Sequence, residues 1–131
     1  MHLTKVTLKN YGVYRDKIEF DLTTTDDKPI ILIGGTNGAG KTTLFESILV
    51  GFYGQSFFNK KTTRKEYERF LANKIHRYLG TTVSADSTSI IIDFKFFHNG
   101  KVDDYTVDRT WKNDDGRIIE ELKIWTREKN Q

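Results

Sequence analysis

PIILIGGTNGAGKTTLFESILVGFYG, residues 29–54, decides the expected fold. Pro29 opens the run Ile30-Ile31-Leu32-Ile33, apolar on both faces, which predicts a strand buried in the centre of a sheet. Glycine-rich residues 34–40 follow at once. Leu44, Phe45, Ile48, Leu49 and Phe52 then recur at helical spacing, predicting a helix from Lys41 to Phe52 that Gly54 terminates. Between strand and helix, Gly35 to Thr42 fit GxxxxGK[ST] at every fixed position. A buried strand before and a helix after are the context that this phosphate-binding loop requires.

Each residue type in the loop has a physical task. Gly35, Asn37, Gly38, Ala39 and Gly40 form the cradle, and the glycines let the backbone come close to phosphate oxygens. The amides of Gly38 to Thr42 are expected to point into one nest, with roughly half a positive charge added by the helix end. Lys41 supplies a mobile cation to the β- and γ-phosphates and is the candidate catalytic residue. The Thr42 hydroxyl is an oxygen ligand for Mg²⁺, and Thr43 can donate to the α-phosphate. The motif thus implies a nucleoside triphosphate with Mg²⁺ as its ligands.

Outward from this core, residues 2–9 alternate as a strand, Asn10-Tyr11-Gly12 breaks it, and Lys17 to Leu22 read as a second strand. Residues 55–62 form a polar, basic loop. Thr63 and Glu66 have the spacing of a capping box. The helix they open is expected to bury Tyr67, Phe70, Leu71, Ile75, Tyr78 and Leu79 and to end at Gly80. In residues 87–126, Ile90, Ile92, Phe94 and Phe96 alternate with Ile91, Asp93, Lys95 and Phe97, Asn99-Gly100 is a tight hairpin turn, and Asp114-Asp115-Gly116 is a second turn. This segment reads as an antiparallel meander. The expected fold class is α/β: a mixed sheet holding the phosphate-loop strand and helix, covered by the antiparallel β layer.

Composition sets outer bounds. The 131 residues fit one domain, but are short for a complete motor-type ATPase. Cysteine is absent, which rules out disulfides and thiolate metal sites and suits a reducing, cytoplasmic setting. No apolar run approaches membrane-spanning length. Lys and Arg number 21 against 18 Asp and Glu, a balance that permits a nucleic-acid partner without arguing for one.

The segment LTKVTLKNYGVYRDKIEFDL, followed by PIILIGGTNGAGKTTLFESILVGFYG, resembles the N-terminal half of an SMC-like ATPase head. These are ABC-type ATPases of DNA repair and chromosome organisation. Within that group NYGVYRD, the double glycine of GGTNGAGKTT, the FYG ending and YERFLANKIHRYL are most similar to DndD, the ATPase family of bacterial DNA phosphorothioation. The resemblance covers essentially the whole chain. It implies ATP as the nucleotide, a head whose two halves are separated by a long coiled coil, and ATP held between two heads of a homodimer. It further implies DNA and other DNA-modification proteins as partners. Neither a signature motif nor a heptad pattern is visible here, so the chain reads as an N-terminal piece expected to turn over little ATP alone. Many relatives carry an Arg where this sequence has Gly12; Arg15 is the candidate substitute as a nucleotide contact, and otherwise a solvated surface residue.

Several features invite other readings. Ile90-Ile91-Ile92-Asp93 imitates the strand whose terminal Asp holds Mg²⁺, but Phe94 follows instead of Glu and the strand runs on into a hairpin. A complete small nucleotide or metabolite kinase with Asp93 as metal carboxylate is therefore the alternative to an ATPase-head segment; a binding module without chemistry is a third. Arg109 sits between Val107 and Trp111 on an apolar face and needs a partner such as Glu120. A phosphate or inter-head contact is its functional alternative. His2, His76 and His98 lack metal-ligand spacing. Lys60, Lys61, Arg64 and Lys65 read as a solvated helix entry, with DNA phosphates as the alternative.

Overall fold

A computed structural model describes residues 1–31, 41–75, 85–115 and 117–127. Alternation of apolar side chains builds its sheet. Val6 and Leu8 of β1 (His2–Lys9) lie opposite Ile92 and Ile90 of β3 (Ser87–His98), and all four are fully buried. Burying each such side chain contributes about 1.5–3 kcal/mol relative to leaving it in water. β2 (Lys17–Asp21) pairs with the other edge of β1. β3 continues through the Asn99-Gly100 turn, with φ of 49° and 72°, into β4 (Lys101–Asp114), and β4 pairs with β5 (Arg117–Arg127). The order is β2-β1-β3-β4-β5, with every pairing antiparallel.

The meander therefore forms as expected, but not as a separate layer: the N-terminal strands belong to the same sheet. The expected mixed sheet is not found among the described residues. Residues 29–31 of the predicted central strand take no part in it, and Ile30 is 76% exposed; Leu32 and Ile33 lie outside the described residues. The reason is occupancy, since β1 and β3 fill each other's edges and those of β2 and β4, leaving no central ladder open to residues 30–31.

Helix α1 (Lys41–Tyr53) runs one residue beyond Phe52, and the residues just before Lys41 lie outside the described ones. Its buried side agrees with the expected one in part, since Leu44 is buried and Ile48 and Phe52 pack against the core. Leu44, Ser47, Val50 and Gly51 are buried, whereas Phe45 and Leu49 are exposed. Small residues allow closer approach than large ones, and α1 meets the sheet at Gly51. A Cβ there would stand 2.7 Å from Ile90 Cγ2 and 2.8 Å from Ile92 Cδ1. That contact sets the helix rotation and turns Phe45, Leu49 and Tyr53, spaced four apart, to the outside.

A 3-10 turn over Gly54–Phe57 leads to α2 (Arg64–Lys74). Thr63 caps it as predicted, its Oγ1 accepting from the Glu66 amide at 3.2 Å. The helix stops before the expected Gly80, because Ile75 is extended and forms an antiparallel bridge with Tyr11. Tyr78, Leu79 and Gly80 lie outside the described residues. Tyr67 and Leu71 are buried against Trp111 and its neighbours, and Phe58 stacks edge-on with Tyr67 and Phe70.

Replacing a helical glycine by alanine ordinarily stabilises by about 1 kcal/mol. At Gly51 the sign reverses: Gly51→Ala is expected to cost about 1–3 kcal/mol through overpacking. Urea denaturation measures it, and the added substitution Ile92→Val should recover part of the loss. An alanine variant at least as stable as the parent would refute the close approach.

Candidate functional site at the start of helix α1

The first turn of α1 carries Lys41, Thr42 and Thr43 on successive positions; Thr42 is exposed and the other two are half-buried. That turn contains no acidic side chain, so its positive end is not neutralised from within. Gly35, Asn37, Gly38, Ala39 and Gly40, the rest of the predicted cradle, lie outside the described residues.

Behind this turn the chain makes a knot of three segments. The loop after β1 is closed by the Asn10 amide donating to Asp16 O (2.8 Å) and the Asp16 amide donating to Asn10 Oδ1 (2.8 Å). Its Gly12 lies against the Thr43 side chain. The Tyr11 hydroxyl donates to Glu46 Oε1 at 3.0 Å, and Lys74 at the end of α2 pairs with the same oxygen at 2.9 Å. Burial, then the charge and hydrogen bond of Glu46, push the Tyr11 phenol far above its ordinary pKa, so it remains a neutral donor. Sequence reading passed over this knot; the one available signal was Glu46, an acid inside an apolar helix. The proposed nucleotide contact Arg15 sits on the same loop, largely exposed, and pairs with Asp16 at 3.7 Å.

The far end of α1 is held by Arg109. Its Nε donates to Gly51 O at 3.0 Å and its Nη2 to Phe52 O at 3.3 Å, meeting carbonyls that the helix cannot satisfy itself. Nη1 donates to Glu120 Oε1 at 2.9 Å. The expected salt bridge is thus formed, and it is partly buried, with the side chains 11% and 17% exposed. Glu120 also accepts from the Tyr67 hydroxyl at 2.9 Å and from Arg64 at 3.3 Å, and Trp111 Nε1 donates to the Tyr67 hydroxyl at 3.1 Å. Of the basic loop, Arg64 is engaged in this network, while Lys60, Lys61 and Lys65 are exposed.

Asp93 lies elsewhere. Ile90 and Ile92 face α1, so strand alternation turns Asp93 to the opposite face, where it accepts from Thr106 Oγ1 and pairs with Lys5 at 3.8 Å. His2 and His98 are exposed and bond to Thr24 and Asp103; His76 lies outside the described residues. Among the described residues no helix is long and apolar enough to cross a membrane.

Lys41 and Thr42, the last two residues of the Gly35–Thr42 motif, thus lie on the first turn of a helix that packs on an antiparallel sheet. A family model described as an AAA domain matches residues 5–131, and the chain belongs to that family of ATPase domains. It is 35% identical to the DNA double-strand break repair Rad50 ATPase of Archaeoglobus fulgidus over 108 residues, 82% of this chain and 9% of that protein. It is 32% identical to the SbcC component of the SbcCD nuclease of Vibrio cholerae over 62 residues, 47% of this chain and 6% of that protein. Within the family this is therefore a segment of the SMC-like, ABC-type head group, spanning under a tenth of the length of these relatives.

Arg109→Met leaves Glu120 with only Arg64 and Tyr67 and strips the last carbonyls of α1 of their donors, so it is expected to cost about 2–3 kcal/mol in urea denaturation at neutral pH. The pH dependence follows from Glu120. Burial raises its pKa, but the hydrogen bonds from Arg109 and Tyr67, the Arg109 charge and the Arg64 bond outweigh it and hold the carboxyl below its ordinary value. Its contribution is therefore complete above the ordinary carboxylate pKa and is lost as pH falls through the lowered one. Stability of the parent should decline over that acid range, and Arg109→Met should flatten the decline. Parallel curves would contradict the assignment.

Proposed function

We propose that this chain is the ATP-binding N-terminal part of an SMC-like ATPase head acting in DNA metabolism. One observation carries the reading: the Gly35–Thr42 motif runs straight into α1, whose first turn presents Lys41 and Thr42 with no acid beside them. In this reading Lys41 binds the β- and γ-phosphates, Thr42 ligates Mg²⁺ and Thr43 donates to the α-phosphate. Bound Mg²⁺ supplies neutralising charge to the phosphate oxygens. The outward stripe of Phe45, Leu49 and Tyr53, with exposed Ile30, supports a covering partner. That partner is the C-terminal half of the same head, completed by a second head in a cytoplasmic homodimer that works on DNA.

The finer reading is DndD, with DNA phosphorothioation as the process and other DNA-modification proteins as partners. It rests on NYGVYRD, GGTNGAGKTT, FYG and YERFLANKIHRYL. Mass spectrometry of DNA from the native host carrying Lys41→Ala tests it. Loss of phosphorothioate linkages is the expected result; intact linkages together with sensitivity to DNA breaks would favour a repair ATPase instead.

Binding is tested by titrating a fluorescent ATP analogue with and without Mg²⁺. Lys41→Ala should weaken affinity by at least about tenfold, as expected for loss of a charge-assisted contact. Thr42→Ala should retain binding through the backbone but lose the gain that Mg²⁺ brings. Equal affinities in parent and Lys41→Ala would sink the proposal.

Hydrolysis by the chain alone is expected to be negligible. The loop gives binding and part of the charge stabilisation, but no group that orients the attacking water, and Asp93 faces away from α1. Phosphate release should match the Lys41→Ala background. Turnover abolished by both Lys41→Ala and Asp93→Asn would bring the small-kinase reading forward.

A further inference from the structure

We propose that Gly12 is a positioning residue for the phosphate site: its bare backbone sets the direction of the Thr43 hydroxyl. The inference rests on the reading of α1 as a triphosphate-binding helix. A Cβ on Gly12 would lie 3.0 Å from Thr43 Cγ2 and 4.0 Å from Thr43 Oγ1. The methyl of Thr43 is therefore the part that meets the loop, and its hydroxyl lies farther from it. A helical threonine divides between two χ1 rotamers. Contact of the methyl with Gly12 selects one of them and keeps the hydroxyl from swinging back between the donating and non-donating orientations.

The loop cannot retreat to accommodate a side chain, because it is held from behind. The Gly12 amide donates to Lys74 O at 2.6 Å, Tyr11 bridges to Ile75, and the Tyr11 hydroxyl is fixed on Glu46 of α1 itself. The φ of +58° at Gly12 aims that amide at Lys74. The end of α2 thus presses the loop onto the first turn of α1, and the missing Cβ is the clearance that Thr43 uses.

The test is a double-mutant cycle on the affinity of a fluorescent ATP analogue with Mg²⁺, with far-UV circular dichroism as the control for folding. Gly12→Ala should weaken binding about tenfold, the scale of a lost hydrogen bond to a charged group. Thr43→Ser removes the methyl that the new Cβ would strike and keeps the hydroxyl but frees its rotamer; alone it should weaken binding about two- to threefold, the loss expected when a second χ1 state is restored. The combined variant should return to the Thr43→Ser level, a coupling that backbone strain at residue 12 would not produce. Equal weakness of Gly12→Ala and the combined variant, or no effect of Gly12→Ala, overturns the assignment. Should Gly12→Ala not fold, Thr43→Val decides: it keeps the shape, and affinity equal to the parent's would leave no hydroxyl to position. A parent chain that does not bind the analogue refutes the nucleotide reading itself, whatever the variants do.

Discussion

The pairing of β1 with β3 is the constraint from which the helical side of the molecule follows. Its register sets Val6 beside Ile92 and Leu8 beside Ile90, and a slip of β1 by one residue would turn Val6 and Leu8 to the face opposite the two isoleucines. With that register the two isoleucines become the floor on which Gly51 rests, and the rotation of α1 is set. Thr4 Oγ1 on Asp93 O and Thr88 Oγ1 on Lys9 O reinforce the same alignment from side chains.

With its rotation set by packing, α1 is then fixed at both ends by polar contacts. Arg109 holds the carbonyl end, and Glu46 holds the other through Tyr11 and Lys74. α2 contributes to both fixings, Tyr67 through Glu120 and Lys74 through Glu46, so it braces the helix that carries Lys41 and Thr42. Polar groups buried in this way favour one arrangement over neighbouring ones when every member is satisfied. Among the described residues no buried side-chain donor or acceptor lacks a partner.

Local patterns were legible in the sequence and long-range packing was not. The Asn99-Gly100 turn, the Thr63 cap and the alternation of β3 each depend on a few adjacent residues, and all three stand as read. The outward turn of Phe45 and Leu49 was not legible because the deciding contact is an absence, the missing Cβ of Gly51. The end of α2 was misplaced because an antiparallel bridge between Ile75 and Tyr11 outweighs a helical pattern. Arg109 and Glu120 were legible as a pair, since a charge on an apolar strand face requires a partner. Lys41, Thr42 and Thr43 are successive residues of one turn, while the Tyr11 knot behind them joins segments with no common pattern.

The strand order also dictates when the molecule can form. Thr4 and Asp93, which bond across β1 and β3, are 89 residues apart in the chain. Closing so long a loop carries its entropic cost before any packing compensates it, which slows folding. During synthesis β1 and β2 leave the ribosome as a two-stranded ribbon that is marginal by itself. The helices emerge next with no floor to settle on, and their apolar sides wait in water until β3 arrives. Helix α1 is thus made early and seated late, and over that interval the nascent chain depends on β3 for its core.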